Sequence, residues 1–151
     1  MLNDTLKVTG AVSIKLLDKG GNVLETREIP NLVVTAGKAF IAASMLKTTS
    51  NSPVAMTHMA VGTNSTAPAA GDTTLGAEVA GSRVALASAS SASNVVTYSA
   101  TFPAATGTGA LVEAGIFNAS SAGTMLCRTT FSVVNKGAAD AMSITWTITV
   151  S

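Results

Sequence analysis

The segment AMSITWTITV, residues 141–150, is the most informative part of the chain about its fold. Large apolar side chains alternate here with serine and threonine, and this period of two places the two kinds on opposite faces of a β-strand. Threonine suits a strand because its β-branched side chain fits the pleated surface of a sheet. We therefore predict a half-buried strand whose apolar face, with Trp146 at its middle, points into the core.

The same period of two runs through residues 6–16, where Leu, Val and Ile occupy most even positions. The following DKGGN, residues 18–22, has the composition of a tight turn, because glycine readily supplies positive φ angles. A returning strand is predicted over residues 23–29, and Pro30 is expected to end it. These two strands therefore form a hairpin.

One helix is predicted, over residues 35–47. Thr35 can cap the exposed amides of its first turn, and the alanines in this stretch favour a helix. Phe40, Ala43 and Lys47 share one face of it. Gly37 costs up to ~1 kcal/mol of helix stability at its position.

The rest of the chain alternates strands with turns. Segments rich in Gly, Pro, Thr and Ser predict loops at residues 63–74 and 103–109, and residues 75–80 fit one helical turn. Further strands are predicted at residues 54–62, 82–90, 95–102, 110–118, 124–134 and 141–150. Because turns rather than helices separate the strands, we predict a mainly β fold. It is an antiparallel β-sandwich or jelly roll of about eight strands, with one short helix after the second strand, in a single domain over residues 1–151.

The alternation also predicts the core. Ile116 and Phe117 are adjacent in one strand and point to opposite faces, so both are buried only if that strand is covered on each side. The predicted core consists of Val12, Ile14, Leu16, Phe40, Val61, Leu86, Phe102, Ile116, Phe117, Phe131, Ile144, Trp146 and Ile148.

The low charge of the chain excludes several classes of protein. Its 9 basic and 8 acidic residues give a net charge of +1, and no basic stripe for nucleic acid is present. No apolar run approaches the ~20 residues that span a bilayer, so no membrane partner is expected. With one cysteine and no signal-peptide pattern, we expect synthesis in a reducing cytoplasm. A surface so poor in charge suits a subunit packed against other subunits.

Nucleophiles and histidines are scarce. His58 is the only histidine, and its apolar neighbours predict that it packs within a strand. Cys127, the only cysteine, is expected to be buried as a small apolar residue. Arg128 beside it is a cation that could lower the pKa of the thiol.

Carboxylates are dispersed along the chain. Asp72 and Asn64 could ligate calcium, but capping of the turn at residues 73–77 is the more common use of such an aspartate. Glu78 and Glu113 would suit glycoside hydrolysis only if the fold brought the two carboxylates together. We predict no catalytic, cofactor-binding or metal-binding residue, no cofactor and no enzyme activity.

Five segments of the chain occur in a distinctive order. They are NLVVTAGK (31–38), HMAVGT (58–63), TAPAAGDTTLG (66–76), EAGIFN (113–118) and SITWTI (143–148). This order resembles that of small structural proteins of tailed-bacteriophage virions, described as tail-fibre-like or capsid-associated. The resemblance covers residue 31 to the carboxyl terminus and rests on strand and turn motifs, which carry no catalytic residues.

The resemblance implies a virion location after synthesis in the host cytoplasm. A small β domain without a shaft, coiled coil or repeat looks most like a capsid cement or decoration protein, which binds the outer surface of the major capsid protein lattice and strengthens it. We expect a homo-dimer or homo-trimer that contacts its partner through the loop at 63–74 and residues 1–5. Two alternatives stay open: a tail, baseplate or tail-fibre adaptor subunit, and a carbohydrate- or receptor-binding β-sandwich, which exposed aromatic side chains would favour.

Overall fold

A computed structural model describes residues 4–46 and 52–151. This part of the chain is mainly β, as predicted, with antiparallel strands and one short helix after the second strand. Among these residues there is no helix that could span a bilayer. The elements are β1 (Val8–Leu17), β2 (Val23–Val33), α1 (Thr35–Ser44), β3 (His58–Gly62), β4 (Val84–Ala85), β5 (Ser88–Ala92), β6 (Val95–Phe102), β7 (Gly109–Phe117), β8 (Met125–Lys136) and β9 (Ala141–Val150).

The nine strands of the described residues form one curled sheet in the order β4-β3-β7-β8-β2-β1-β9-β6-β5. Strand β2 belongs to both halves of the sheet, because it pairs with β1 along most of its length and with β8 at Leu32 and Val33. The apolar faces of the two halves form one core cluster, in which Phe102 and Trp146 of one half join Met59 and Ile116 of the other. The curled sheet thereby encloses its core as the two layers of a sandwich do.

The predicted core is largely confirmed. Eleven of its thirteen side chains are buried, and Trp146, Phe102 and Ile14 are fully so. The other two, Phe40 and Leu86, are half-buried and pack against the core cluster.

Strand β7 is covered on both faces, as the adjacent Ile116 and Phe117 require. Ile116 lies in the main core, between the halves of the sheet. Phe117 lies in a second cluster with Val34, Leu75 and Met125, against which Ala36 of α1 packs. The helix and the loop before β4 therefore cover the outer face of this half.

Pro30 does not end the second strand, contrary to the prediction. Strand β2 continues to Val33, and Pro30 is the cross-strand partner of Ala11 in the ladder with β1. Pairing with β8 begins only at Leu32, so no ladder on that side needs an amide hydrogen from Pro30. A proline is tolerated at a strand position where its missing N–H would face no paired neighbouring strand.

Two predictions for residues 75–90 are wrong. Residues 75–80 form bends and one isolated bridge, between Glu78 and Gly62, rather than a helical turn. The single strand expected over residues 82–90 is divided into β4, which pairs with β3, and β5, which pairs with β6. The chain passes from one half of the sheet to the other between them.

The helix begins as predicted but is capped differently. Val34 is the N-cap residue and makes no side-chain capping bond, and Thr35 is the first helical residue. The amide of Thr35 donates instead to the carbonyl oxygen of Ala70, at 2.8 Å. The helix ends at Ser44, and Lys47, expected at its end, lies outside the described residues.

Candidate functional site

A buried ion pair joins β7 and β8. Glu113 has no exposed surface and Arg128 is 3% exposed. The Arg128 guanidinium reaches one carboxylate oxygen of Glu113 through both Nε, at 2.9 Å, and Nη2, at 2.8 Å. Burying two charges is costly unless they are paired and their remaining hydrogen-bonding positions are filled, so the other partners of this pair decide what it does.

The remaining positions on Glu113 bind the loop that follows β3. Oε1 accepts the amides of Asn64, at 3.2 Å, and Ala77, at 2.7 Å. Oε2 also accepts the amide of Gly76, at 2.9 Å. One carboxylate therefore holds both ends of a long loop, residues 63–77, which we call the anchored loop.

Arg128 holds the middle of the anchored loop. Its Nη1 donates to Asp72 Oδ2 at 2.9 Å, and its Nη2 donates to the carbonyl oxygen of Thr66 at 3.0 Å. The same Asp72 oxygen accepts the amide of Ala69 at 2.9 Å. Charge-assisted bonds of this kind are shorter and stronger than neutral ones, so the loop has a defined shape.

A second arginine clamps the chain beyond the anchored loop. Arg83 binds Glu78 with two bonds, of 3.0 and 2.7 Å, and its Nη1 donates to the carbonyl oxygens of Ala119, at 3.2 Å, and Ala122, at 2.7 Å. The guanidinium also lies 3.8 Å from the centroid of the Phe117 ring. The turn between β7 and β8 is thereby held beside the anchored loop.

The outer surface of the anchored loop is almost neutral. Its exposed residues are Thr, Ser, Ala and Gly, and its one charged side chain, Asp72, is paired with Arg128. A shallow cavity of about 380 Å³ opens on it, and its lining includes Asn64, Thr73 and Thr74 together with the paired Asp72 and Arg128. Such a surface offers hydrogen-bonding groups and small contacts to a partner, because the charged groups beneath it are already used.

The other long loop is tied down by a buried lysine. Lys136 is 2% exposed, and its Nζ donates to the carbonyl oxygens of Pro103, at 2.9 Å, and Asp140, at 2.7 Å. Burial lowers the pKa of Lys136. The amide of Ala105 adds a bond to the carbonyl oxygen of Ala138, at 2.8 Å. Residues 103–109 are therefore held in place by these bonds, despite their glycine-rich composition.

His58 and Cys127 lie apart from this network. His58 is half-buried on β3, and its Nδ1 is 2.8 Å from the hydroxyl of Thr57. Cys127 is buried in the core, and that burial raises the pKa of its thiol. The idea that Arg128 lowers this pKa is wrong, because the Arg128 side chain binds Glu113 and Asp72 instead.

The carboxylates also differ from expectation. Asp72 caps the preceding turn, through the amide of Ala69, and not residues 73–77. Glu78 and Glu113 both border the anchored loop, but each is paired with a different arginine. Across residues 4–46 and 52–151, no three His, Cys, Asp or Glu side chains are grouped so that they could hold a metal ion.

Sequence reasoning missed the Glu113–Arg128 pair, although a signal was present. Glu113 is the one charged residue of β7, GALVEAGIF, and Arg128 directly follows the apolar run MLC at the start of β8. Charges in such settings are buried only when paired, and the two strands are consecutive. Comparison with protein-family models, curated proteins and solved structures finds no match to this chain. Its function is therefore inferred from the geometry of the anchored loop and from the sequence motifs.

Proposed function

We propose that this protein is a bacteriophage virion structural protein that decorates the capsid. It binds the outer surface of the major capsid protein lattice and strengthens it by protein–protein contact, as a homo-oligomer and without catalysis. The anchored loop is the observation that carries this proposal. It is a preformed, nearly neutral surface held from below by the Glu113–Arg128 pair.

The segments with the family resemblance support this assignment because most of them meet at the anchored loop. Gly62, from the motif at 58–63, is the strand partner of Glu113, which opens the motif at 113–118. The anchored loop contains the motif at 66–76, and its Ala70 accepts the amide of Thr35, from the motif at 31–38. Three separate stretches of the chain, residues 31–38, 58–76 and 113–118, therefore meet at the anchored loop, and a shared contact site is what proteins with a common partner would need.

The order and the nearly neutral surface of the anchored loop favour binding of a partner over catalysis. A segment that is already ordered loses little conformational entropy when a partner covers it. Its exposed Thr, Ser, Ala and Gly residues carry no charge that would have to be desolvated. Each copy on a lattice then needs only modest affinity, because contacts to several subunits act together.

The test uses phage heads that lack this protein. Purified protein is added back, and DNA release is measured during heating and osmotic shock. We expect bare heads to assemble but to burst more readily, and wild-type protein to restore their resistance. The double variant Thr73→Glu/Thr74→Glu, which places two charges on the anchored loop, should fail to restore it.

The matched control is Ser132→Glu, which adds a charge at an exposed position of β8, away from the loop. It should restore head resistance as wild type does. Heads of unchanged strength with absent or non-adsorbing tails would refute decoration and favour the tail, baseplate or fibre-adaptor alternative. Glycan binding by the purified protein would favour the receptor-binding alternative. That alternative has less support, because all six aromatic side chains lie in the described residues and none of them is exposed.

A further inference from the structure

The two edges of the curled sheet are unlike each other. One edge strand, β4, has only two residues. Arg83, the residue before it, is bonded to Glu78. The other, β5, has five residues, all of them exposed, and within the described residues it pairs with β6 alone. Its outer side therefore presents backbone N–H and C=O groups that no described strand satisfies, which is a template for pairing with another chain.

The β5 edge lacks the features with which proteins usually protect an edge strand. Charged side chains, proline and bulges are the common protections. No charged residue occurs between Arg83 and Glu113, and β5 itself contains only Ser and Ala. The ladder between β5 and β6 also runs from Ser88 to Ala92 without a register shift, so the edge is regular along its length.

The edge is also held in place before any partner arrives. At the hairpin tip, Asn94 is bonded to Val150 in both directions: its side chain donates to the Val150 carbonyl at 2.8 Å, and its carbonyl accepts the Val150 amide at 2.9 Å. At the other end, the hydroxyls of Ser88 and Ser99 lie 2.6 Å apart. A preordered strand adds a neighbour at low entropic cost.

We infer that β5 pairs antiparallel with β5 of a second copy of this chain, across a two-fold axis. A second copy fits because two uncharged edges can approach without like-charge repulsion, and small side chains let the backbones come close. Pairing of β5 with the edge strand β4 would leave most of the edge open, because β4 is so short. Pairing of β5 with β5 across a two-fold axis ends at a dimer, because it gives the free backbone groups of both β5 strands hydrogen-bond partners at once.

This inference specifies the self-association that the proposed function includes, and its test needs no capsid. Sedimentation velocity of the full chain over a range of concentrations should show a species of twice the 15.0 kDa mass of one chain. Ser90→Lys, and separately Ser91→Lys, should raise the dimer dissociation constant by at least about tenfold, since a lysine on an edge strand opposes its pairing with another chain. Ser132→Lys, on a strand inside the sheet, should leave it unchanged.

Cysteine cross-linking tests the register. Ala89→Cys, Ser90→Cys and Ser91→Cys are oxidised separately, and one of them should form an interchain disulfide efficiently while Ser132→Cys does not. Cys127 is buried and does not compete. A monomer at all concentrations, or a dimer that resists both lysine variants and forms none of the three cross-links, would overturn the inference. A monomer that still strengthens phage heads would overturn β5 pairing and leave the proposed function intact.

Discussion

Trp146 is the largest fully buried side chain, and it lies at the centre of the best-patterned strand. On β9 it is flanked by Val12 of β1 and Tyr98 of β6. Its indole Nε1 is buried and has no hydrogen-bond partner among the described residues. Its contribution to stability therefore comes from apolar packing alone.

Replacing Trp146 by Ala should lower the free energy of unfolding by about 3–5 kcal/mol, because the change leaves a large cavity. Trp146→Phe should cost clearly less, since it keeps most of the packing and removes an unsatisfied donor. Denaturant melts of the three proteins measure both effects. A loss below about 1 kcal/mol for the Ala variant would mean that Trp146 is exposed in solution.

Cys127 makes stability depend on pH in a predictable direction. Burial raises the pKa of the native thiol, whereas the unfolded thiol ionises at about pH 9. The unfolded state therefore binds fewer protons above that pH, and stability falls as pH rises. Relative to Cys127→Ala, the wild type should lose about 1 kcal/mol between pH 7 and pH 10. Equal pH dependence in both proteins, or rapid thiol labelling of the native wild type, would show that the thiol is accessible.

Gly37 explains how closely helix α1 packs against strand β8. Local propensity disfavours glycine within a helix, yet Gly37 is the buried residue of α1. A Cβ at this position would collide with the carbonyl group of Leu126 on β8. The helix lies against the backbone of the strand, and only glycine allows that approach.

Gly37→Ala should therefore destabilise the protein by about 1–3 kcal/mol through overpacking, although helix propensity alone predicts a gain of about 1 kcal/mol. Ala39→Gly, at an exposed position of the same helix, is the matched control and should lose about 1 kcal/mol. Urea melts decide the sign. A stabilised Gly37→Ala variant would mean that α1 does not contact β8 as described.

Across the fold, charged groups of the chain itself hold the long loops in place. Glu113 and Asp72, the carboxylates best placed to attract a cation, are bonded to Arg128 and to loop amides. Stability should therefore not require a metal ion, and the melting temperature should be the same with and without a chelator. A fall of several degrees with chelator would reveal a structural ion.

The strands were predictable because their signal is local. The alternation of residues 141–150 and 95–102 matches β9 and β6, since successive side chains of a strand point to opposite faces whatever the strand pairs with. The core followed from the same rule. Errors arose where the outcome depends on a neighbour: Pro30 is tolerated because β8 pairs only with later residues of β2, and residues 82–90 divide because each end meets a different strand.

Local sequence patterns were enough to predict the mainly β fold, the helix after the second strand, and which apolar faces are buried. The candidate site required the tertiary structure. Glu113 is 37 residues from Gly76, and Arg128 is 56 from Asp72, and no local pattern relates such distant groups. A buried charge takes whichever partner the packing of strands places beside it, so only the folded chain decided that one ion pair holds the anchored loop.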